Sequence, residues 1–180
     1  MAKLLYSAAM SLDGYITGPG GDMSWLGEFD GPNPLMDDLV PQIGAILAGA
    51  GTARGDNPNA GDPEKEGAFS GAYQGPEFVL THNPPATPKP GVTYVGDLPS
   101  AVAAAKEAAG DRYVNVLGAN VAKQCIETGV LDEILTLVLP VLLGDGVRLF
   151  DQPGGRTVRL EHVTRSTVDH ATNLWYRVVY

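Results

Sequence analysis

Basic residues are scarce in this chain. Twelve lysines and arginines stand against 21 aspartates and glutamates, a formal charge of −9 with histidine neutral. Affinity for phosphate backbones comes from clustered Lys and Arg, so this balance argues against a nucleic-acid partner. Cysteine is almost absent: Cys125 stands alone, which excludes an intramolecular disulfide and a cysteine-built zinc site and fits a reducing, cytoplasmic setting. Long apolar runs are missing as well. The stretch Leu4–Met10 is broken by Ser11-Leu12-Asp13-Gly14 and is too short for a membrane span or a signal peptide. His82, His162 and His170 lie far apart with no ligand at helical spacing, so no metal site is expected. A Gly-x-Ser-x-Gly nucleophile elbow is also lacking. What remains is enough for a core: 44% hydrophobic and 18% charged residues read as a globular chain, taken as one domain over 1–180.

Short apolar or β-branched runs ending at turn residues predict buried strands at Leu4–Met10, Ile43–Ala48, Glu77–Thr81, Val92–Val95 and Tyr113–Leu117. Helical patterns lie between some of them. One starts at the cap candidate Asp97 with an early proline and ends at Gly110. Another runs from Ala119 to Thr128, with Ala122, Cys125 and Ile126 on one face and Gly129 as its stop. A shorter one spans Pro34 to about Val40. Strand, helix, strand connections of this length imply parallel pairing through right-handed crossovers. The last third, with Glu133–Leu143, Val158–Ser166 and Thr172–Tyr180 and no helix signal between them, predicts antiparallel strands added to that sheet. Pro140 should mark an edge or bulge in the first of these. Residues 55–76, rich in glycine and proline, form a loop too long to be idle in a compact domain.

Chemistry is expected where strands give way to glycine. Tyr113–Leu117 passes through Gly118 into the helix at Ala119, and Ile43–Ala48 passes into Gly49-Ala50-Gly51-Thr52. The first offers helix N–H groups and a dipole to an anion such as a phosphate. Two such ends on one sheet edge could hold the two ends of a dinucleotide, and tight structural turns explain the same glycines without a ligand. An ordinary Rossmann fingerprint is set aside, because Arg54 replaces its third glycine and Gly55 and Pro58 interrupt any long helix.

Four ordered motifs together resemble one family. They are Ser11-Leu12-Asp13-Gly14, Gly49-Ala50-Gly51-Thr52-Ala53-Arg54-Gly55-Asp56-Asn57-Pro58, Leu117-Gly118-Ala119, and Leu131-Asp132-Glu133 followed by Pro140-Val141-Leu142-Leu143-Gly144-Asp145-Gly146. The chain is similar to the dihydrofolate-reductase-like superfamily, and within it to the reductase domain of the bifunctional riboflavin-biosynthesis deaminase-reductase. The zinc signature of a deaminase half is missing. The resemblance implies an α/β fold of three layers, α/β/α, around a central mixed, mostly parallel sheet with antiparallel C-terminal strands. It also implies NADPH across the carboxyl ends of the strands, a small-molecule substrate, and a homodimer. Carried over by position, Ala9 meets the nicotinamide and Trp25 lines the nicotinamide and substrate pocket. Gly49, Gly51, Thr52 and Asp56 contact the cofactor, Thr81 and His82 lie near the adenosine ribose, and Gly118, Ala119, Asn120, Val121 and Ala122 wrap the pyrophosphate. Trp25 also reads as a core or lid aromatic, and Asp56 as a turn former before Asn57-Pro58.

The departures from the family pattern bear on the substrate. Leu117 stands where the riboflavin reductases carry a substrate-contacting glutamate, and Val40 where a substrate-binding arginine falls. A sugar phosphate carries close to two negative charges and is poorly served without those arginines. A buried acid of the dihydrofolate-reductase kind would have to come from Asp30, Asp37 or Asp38, which read equally as exposed acids near a helix start. Arg54 and His82 are the basic residues nearest a 2′-phosphate. Cys125 reads as a small core residue. The expected activity is a reductase passing hydride from NADPH to a C=N or C=O of a heterocyclic or carbonyl compound. The alternatives are the 5-amino-6-(5-phosphoribosylamino)uracil reductase of riboflavin biosynthesis and a non-catalytic nucleotide-binding or dimeric module.

Overall fold

The computed structural model describes residues 1–55, 65–155 and 157–180. Its strands are β1 (Leu4–Ser11), β2 (Tyr15–Thr17), β3 (Ile43–Gly49), β4 (Glu77–Leu80), β5 (Val92–Val95), β6 (Tyr113–Leu117), β7 (Glu133–Leu139), β8 (Val147–Arg148), β9 (Arg159–Val168) and β10 (Ala171–Val179). The helices are α1 (Pro34–Leu39), α2 (Ala50–Arg54), α3 (Leu98–Ala109) and α4 (Ala119–Glu127). One eight-stranded sheet has the order β5-β4-β3-β6-β1-β7-β10-β9, and β2 pairs with β8 apart from it. The six strands from β5 to β7 are mutually parallel, and β10 is antiparallel to both β7 and β9. This is the mixed, mostly parallel α/β sheet that the sequence predicts.

One element departs from that expectation. β7 was grouped with the antiparallel strands of the last third, yet it runs parallel to β1, with Leu5 opposite Glu133. The reason is the connection: β6 returns through α4, and such a crossover brings the next strand back parallel. The strand also stops at Leu139 rather than Leu143, because Pro140 has no amide to donate.

α3 forms where the Asp97 carboxylate caps the Ser100 amide at 2.9 Å with Pro99 in the first turn, and it ends at Gly110 with φ +65°. Its Ala101, Ala105 and Ala109 are buried against the sheet. Small side chains on this face let the helix backbone approach β3 so closely that a Cβ on Gly44 would lie 2.6 Å from the Ala109 Cα. α4 buries Val121, Ala122, Cys125 and Ile126 in the same layer. Burial pushes the Cys125 thiol up to about 12, as befits a core residue. α1 and the segment around Tyr73 cover the opposite face over Leu5, Ile46 and Leu135.

At the carboxyl edge a clasp joins distant parts of the chain. Asp13 accepts from Ser11 Oγ at 2.6 Å, from the Gly144 amide at 2.7 Å and from the Leu143 amide at 3.1 Å. These hydrogen bonds, that of Ser11 first, hold its carboxyl at about 2, below the usual 3.8. The turn after β1 and the loop after β7 are thus tied through one anion.

Two outcomes follow from these contacts. Gly44→Ala should destabilise the fold by about 1–3 kcal/mol, read as a lower urea midpoint; an unchanged midpoint would refute the close approach. Because the Asp13 pKa is lower folded than unfolded, its stabilisation is complete above about pH 4 and disappears as pH falls toward 2. Asp13→Asn should therefore melt lower at neutral pH and lose less stability than the parent protein between about pH 4 and pH 2. Parallel pH curves for the two proteins would contradict the clasp.

Candidate functional site

A cleft of about 1200 Å³ opens outside the carboxyl ends of β1, β3, β4, β6 and β7 and beside the end of β5. This is where the parallel strand order places a crevice: β6 enters between β3 and β1, and the next crossover passes to the far side of β1. The middle of the cleft is backbone. Gly118, with φ +98°, begins α4, and a Cβ there would overlap Thr52 Oγ1. A Cβ on Gly49 would come within 3.1 Å of Val121 Cγ2. Glycine at both positions lets the end of β3 and the start of α4 face each other across the cleft floor. The Ala122 amide already donates to Gly118 O at 3.2 Å, so the amides of Ala119, Asn120 and Val121 make the first turn available to an anion.

The two ends differ. Toward β1 and β7 the lining is apolar, with Ala9, Ile16, Met23, Leu26, Leu137 and Val147. Ser7 also lines the cleft, and its hydroxyl donates to Asn115 Oδ1 at 2.8 Å. Asn115 is fully buried, and its Nδ2 has no partner among the described residues. Toward β4 and β5 the lining is polar, with Thr81, His82, Asn83 and Asp97. Among the described residues the lining contains no Lys or Arg.

Most of the residues singled out from sequence come together here. Ala9, Gly49, Gly51, Thr52, Thr81, His82, Gly118, Ala119, Asn120 and Val121 all line the cleft. Ala122 does not, because it sits on the buried face of α4 with its amide inside the helix. Trp25 does not line it either: it packs against Phe29, Leu139 and Ala171 as a core aromatic, while its neighbours Met23 and Leu26 line the cleft. Asp30, Asp37 and Asp38 are exposed and stand outside the lining, since α1 turns Leu39 inward and its acids outward. Asp56 lies outside the described residues. Arg54 is exposed, outside the lining, and folds its Nε back onto Ala50 O at 3.1 Å.

Sequence reasoning missed Ser7, Asn115 and the cleft position of Asp97. The signal for the first two was a polar residue in the middle of an apolar strand run, Ser7 after Leu4-Leu5-Tyr6 and Asn115 between Val114 and Val116. Asp97 was read only as a helix cap, which it also is.

Among the described residues no cluster of three or more His, Cys, Asp or Glu is disposed to hold a metal, and no helix is long and apolar enough to cross a membrane. A crystal structure of a Shewanella sp. PV-4 protein with a provisional riboflavin-biosynthesis name superposes over 100% of both chains, at 24% identity and a TM-score of 0.76. The riboflavin biosynthesis reductase Rib7 of Saccharomyces cerevisiae aligns over 99% of this chain and 90% of its own, at 21% identity and TM-score 0.64. Dihydrofolate reductase from Enterococcus faecalis, complexed with NADP(H), aligns over 98% and 96%, at 18% identity and TM-score 0.63. At these identities the likeness is one of fold. The sequence itself matches the model of the RibD C-terminal domain over residues 2–172, and the chain belongs to that family.

Proposed function

We propose that the protein is a reductase that binds a nicotinamide dinucleotide along the cleft and delivers hydride to a C=N or C=O of a small, uncharged heterocyclic or carbonyl compound. The observation that carries this reading is the division of the cleft: helix amides in the middle, an apolar end at β1 and β7, a polar end at β4 and β5. Membership of a family that includes reductase domains supports it, as does the likeness to a fold that holds NADP(H).

The cradle fits the cofactor by its chemistry. Amides of Ala119, Asn120 and Val121 would bind the pyrophosphate, with Thr52 Oγ1 beside them and no side chain at Gly118 to block the approach. The polar end suits the adenosine half. The apolar end suits the nicotinamide, because hydride transfer needs alignment and exclusion of water more than it needs charged groups. The bound dinucleotide supplies the hydride itself. Ser7, held by Asn115, offers a hydroxyl within that apolar end to orient a polar atom of the substrate.

The lining bears on the substrate as well. Lacking Lys and Arg among the described residues, the cleft is poorly suited to a sugar phosphate. Family membership favours the phosphoribosylamino-uracil reductase as the second reading.

Titration with NADH and with NADPH should raise the melting temperature, by an amount equivalent to about 2.7 kcal/mol at a hundredfold excess over Kd. Cofactor oxidation against simple carbonyls, dihydrofolate and the ribosylamino-pyrimidine then separates the substrate classes. Absence of any shift with both nucleotides would sink the reading. Thr52→Val, on an exposed helix, should cost about 1 kcal/mol of cofactor binding, roughly a fivefold rise in Kd, with little change in the melting temperature of the free protein.

A further inference from the structure

NADH and NADPH differ only at the adenosine ribose, where the latter carries a 2′-phosphate with close to two negative charges at neutral pH. What this chain presents at the polar end of its cleft decides between them. The side chains there are Thr81, His82, Asn83 and Asp97. Asp97 is the one carboxylate in the described lining, and no lysine or arginine stands opposite it. The start of α3 reaches the same place and would ordinarily be the best anion position at that end. It is already taken, because the Asp97 carboxylate accepts from the Ser100 amide at 2.9 Å. Ser100 holds this carboxyl below the usual carboxylate range, so the group is an anion at physiological pH.

Among the described residues no Lys or Arg of the lining offsets it. Arg54 turns back onto Ala50 O and stays out of the lining. The imidazole of His82 is the basic group that acts on Asp97. A carboxylate offers about four lone-pair positions, and Ser100 engages only part of them. The remainder suits a hydroxyl donor and repels a phosphate.

Resting on the reductase reading above, we propose that Asp97 selects the dinucleotide with a free 2′-hydroxyl, so that this chain takes NADH in preference to the NADPH implied by its family resemblance. Asp97 accepts a hydrogen bond from the ribose hydroxyl and excludes the 2′-phosphate by like charge. The selectivity is therefore set at the adenosine end, away from the apolar end where hydride is transferred.

The test measures Kd of the whole, unliganded protein for NADH and NADPH by calorimetry or nicotinamide fluorescence. Low ionic strength and about pH 8 keep the charge effect visible and lie above the ordinary titration range of histidine. NADH should bind about tenfold or more tightly than NADPH, a difference of about 1.4 kcal/mol. Asp97→Asn keeps a residue that caps helices well and removes the charge. It should narrow the ratio at least about fivefold, chiefly by tightening NADPH, while the melting temperature confirms that the variant is folded. Equal or tighter binding of NADPH by the parent protein overturns the proposal while leaving the reductase reading intact. So does an unchanged ratio in the folded variant. Binding of neither dinucleotide removes the reductase reading and this inference with it.

Discussion

The sheet is anchored by a single buried carboxylate at its amino edge. Glu133, 3% exposed at the start of β7, accepts from Lys3 Nζ at 2.8 Å, from Trp175 Nε1 at 2.8 Å and from Tyr113 OH at 3.1 Å. Those donors come from the residue before β1, from β10 and from β6. Four adjacent strands, β6, β1, β7 and β10, are thereby tied together at one end. A charge taken out of water is tolerable only when its lone pairs are used in this way, so the anion holds these strands side by side. With the amino edge settled, the carboxyl edge is free to remain open as a cleft.

The cleft uses polar groups sparingly. Its centre is main chain, its end at β1 and β7 is apolar, and its charged side chain caps a helix start. Amides at a helix start are kept through most substitutions, while side chains at either end can vary without disturbing them. Under the proposed reading, phosphate recognition by backbone and selectivity by side chain are separable. The fold itself is shared with solved structures at 18–24% identity.

The legible parts of the sequence were those with local causes. Central parallel strands appear as short apolar runs because both faces are covered, and α3 and α4 carry their own caps and stops. The direction of β7 was legible in the helix that precedes it, since a crossover returns a parallel strand, but its long apolar run groups it with the antiparallel strands that follow. The role of Asp13 had no local signal, because its amide partners, Leu143 and Gly144, lie 130 and 131 residues away. Ala122, which the resemblance assigns to the pyrophosphate turn, belongs to the helix ladder, because position in a motif does not say where the free amides end. The acids of α1 and of its approach carried two readings, buried or exposed, because a six-residue helix gives too little periodicity to tell its inner face from its outer one; the exposed one holds. Ser7 and Asn115 escaped notice because neither residue is informative without the other, and only the sheet register brings them together.

The two tryptophans sit at opposite edges of the same sheet. Trp175 is hydrogen-bonded to the Glu133 carboxylate at the anchored edge. Trp25 lies near the open edge against Leu139 and Ala171, with its indole N–H unpartnered among the described residues. An indole beside a carboxylate and an indole in an apolar niche emit at different wavelengths. The protein therefore carries its own pair of optical labels, one reporting on the core that holds the strands together and the other on the packing beside the cleft.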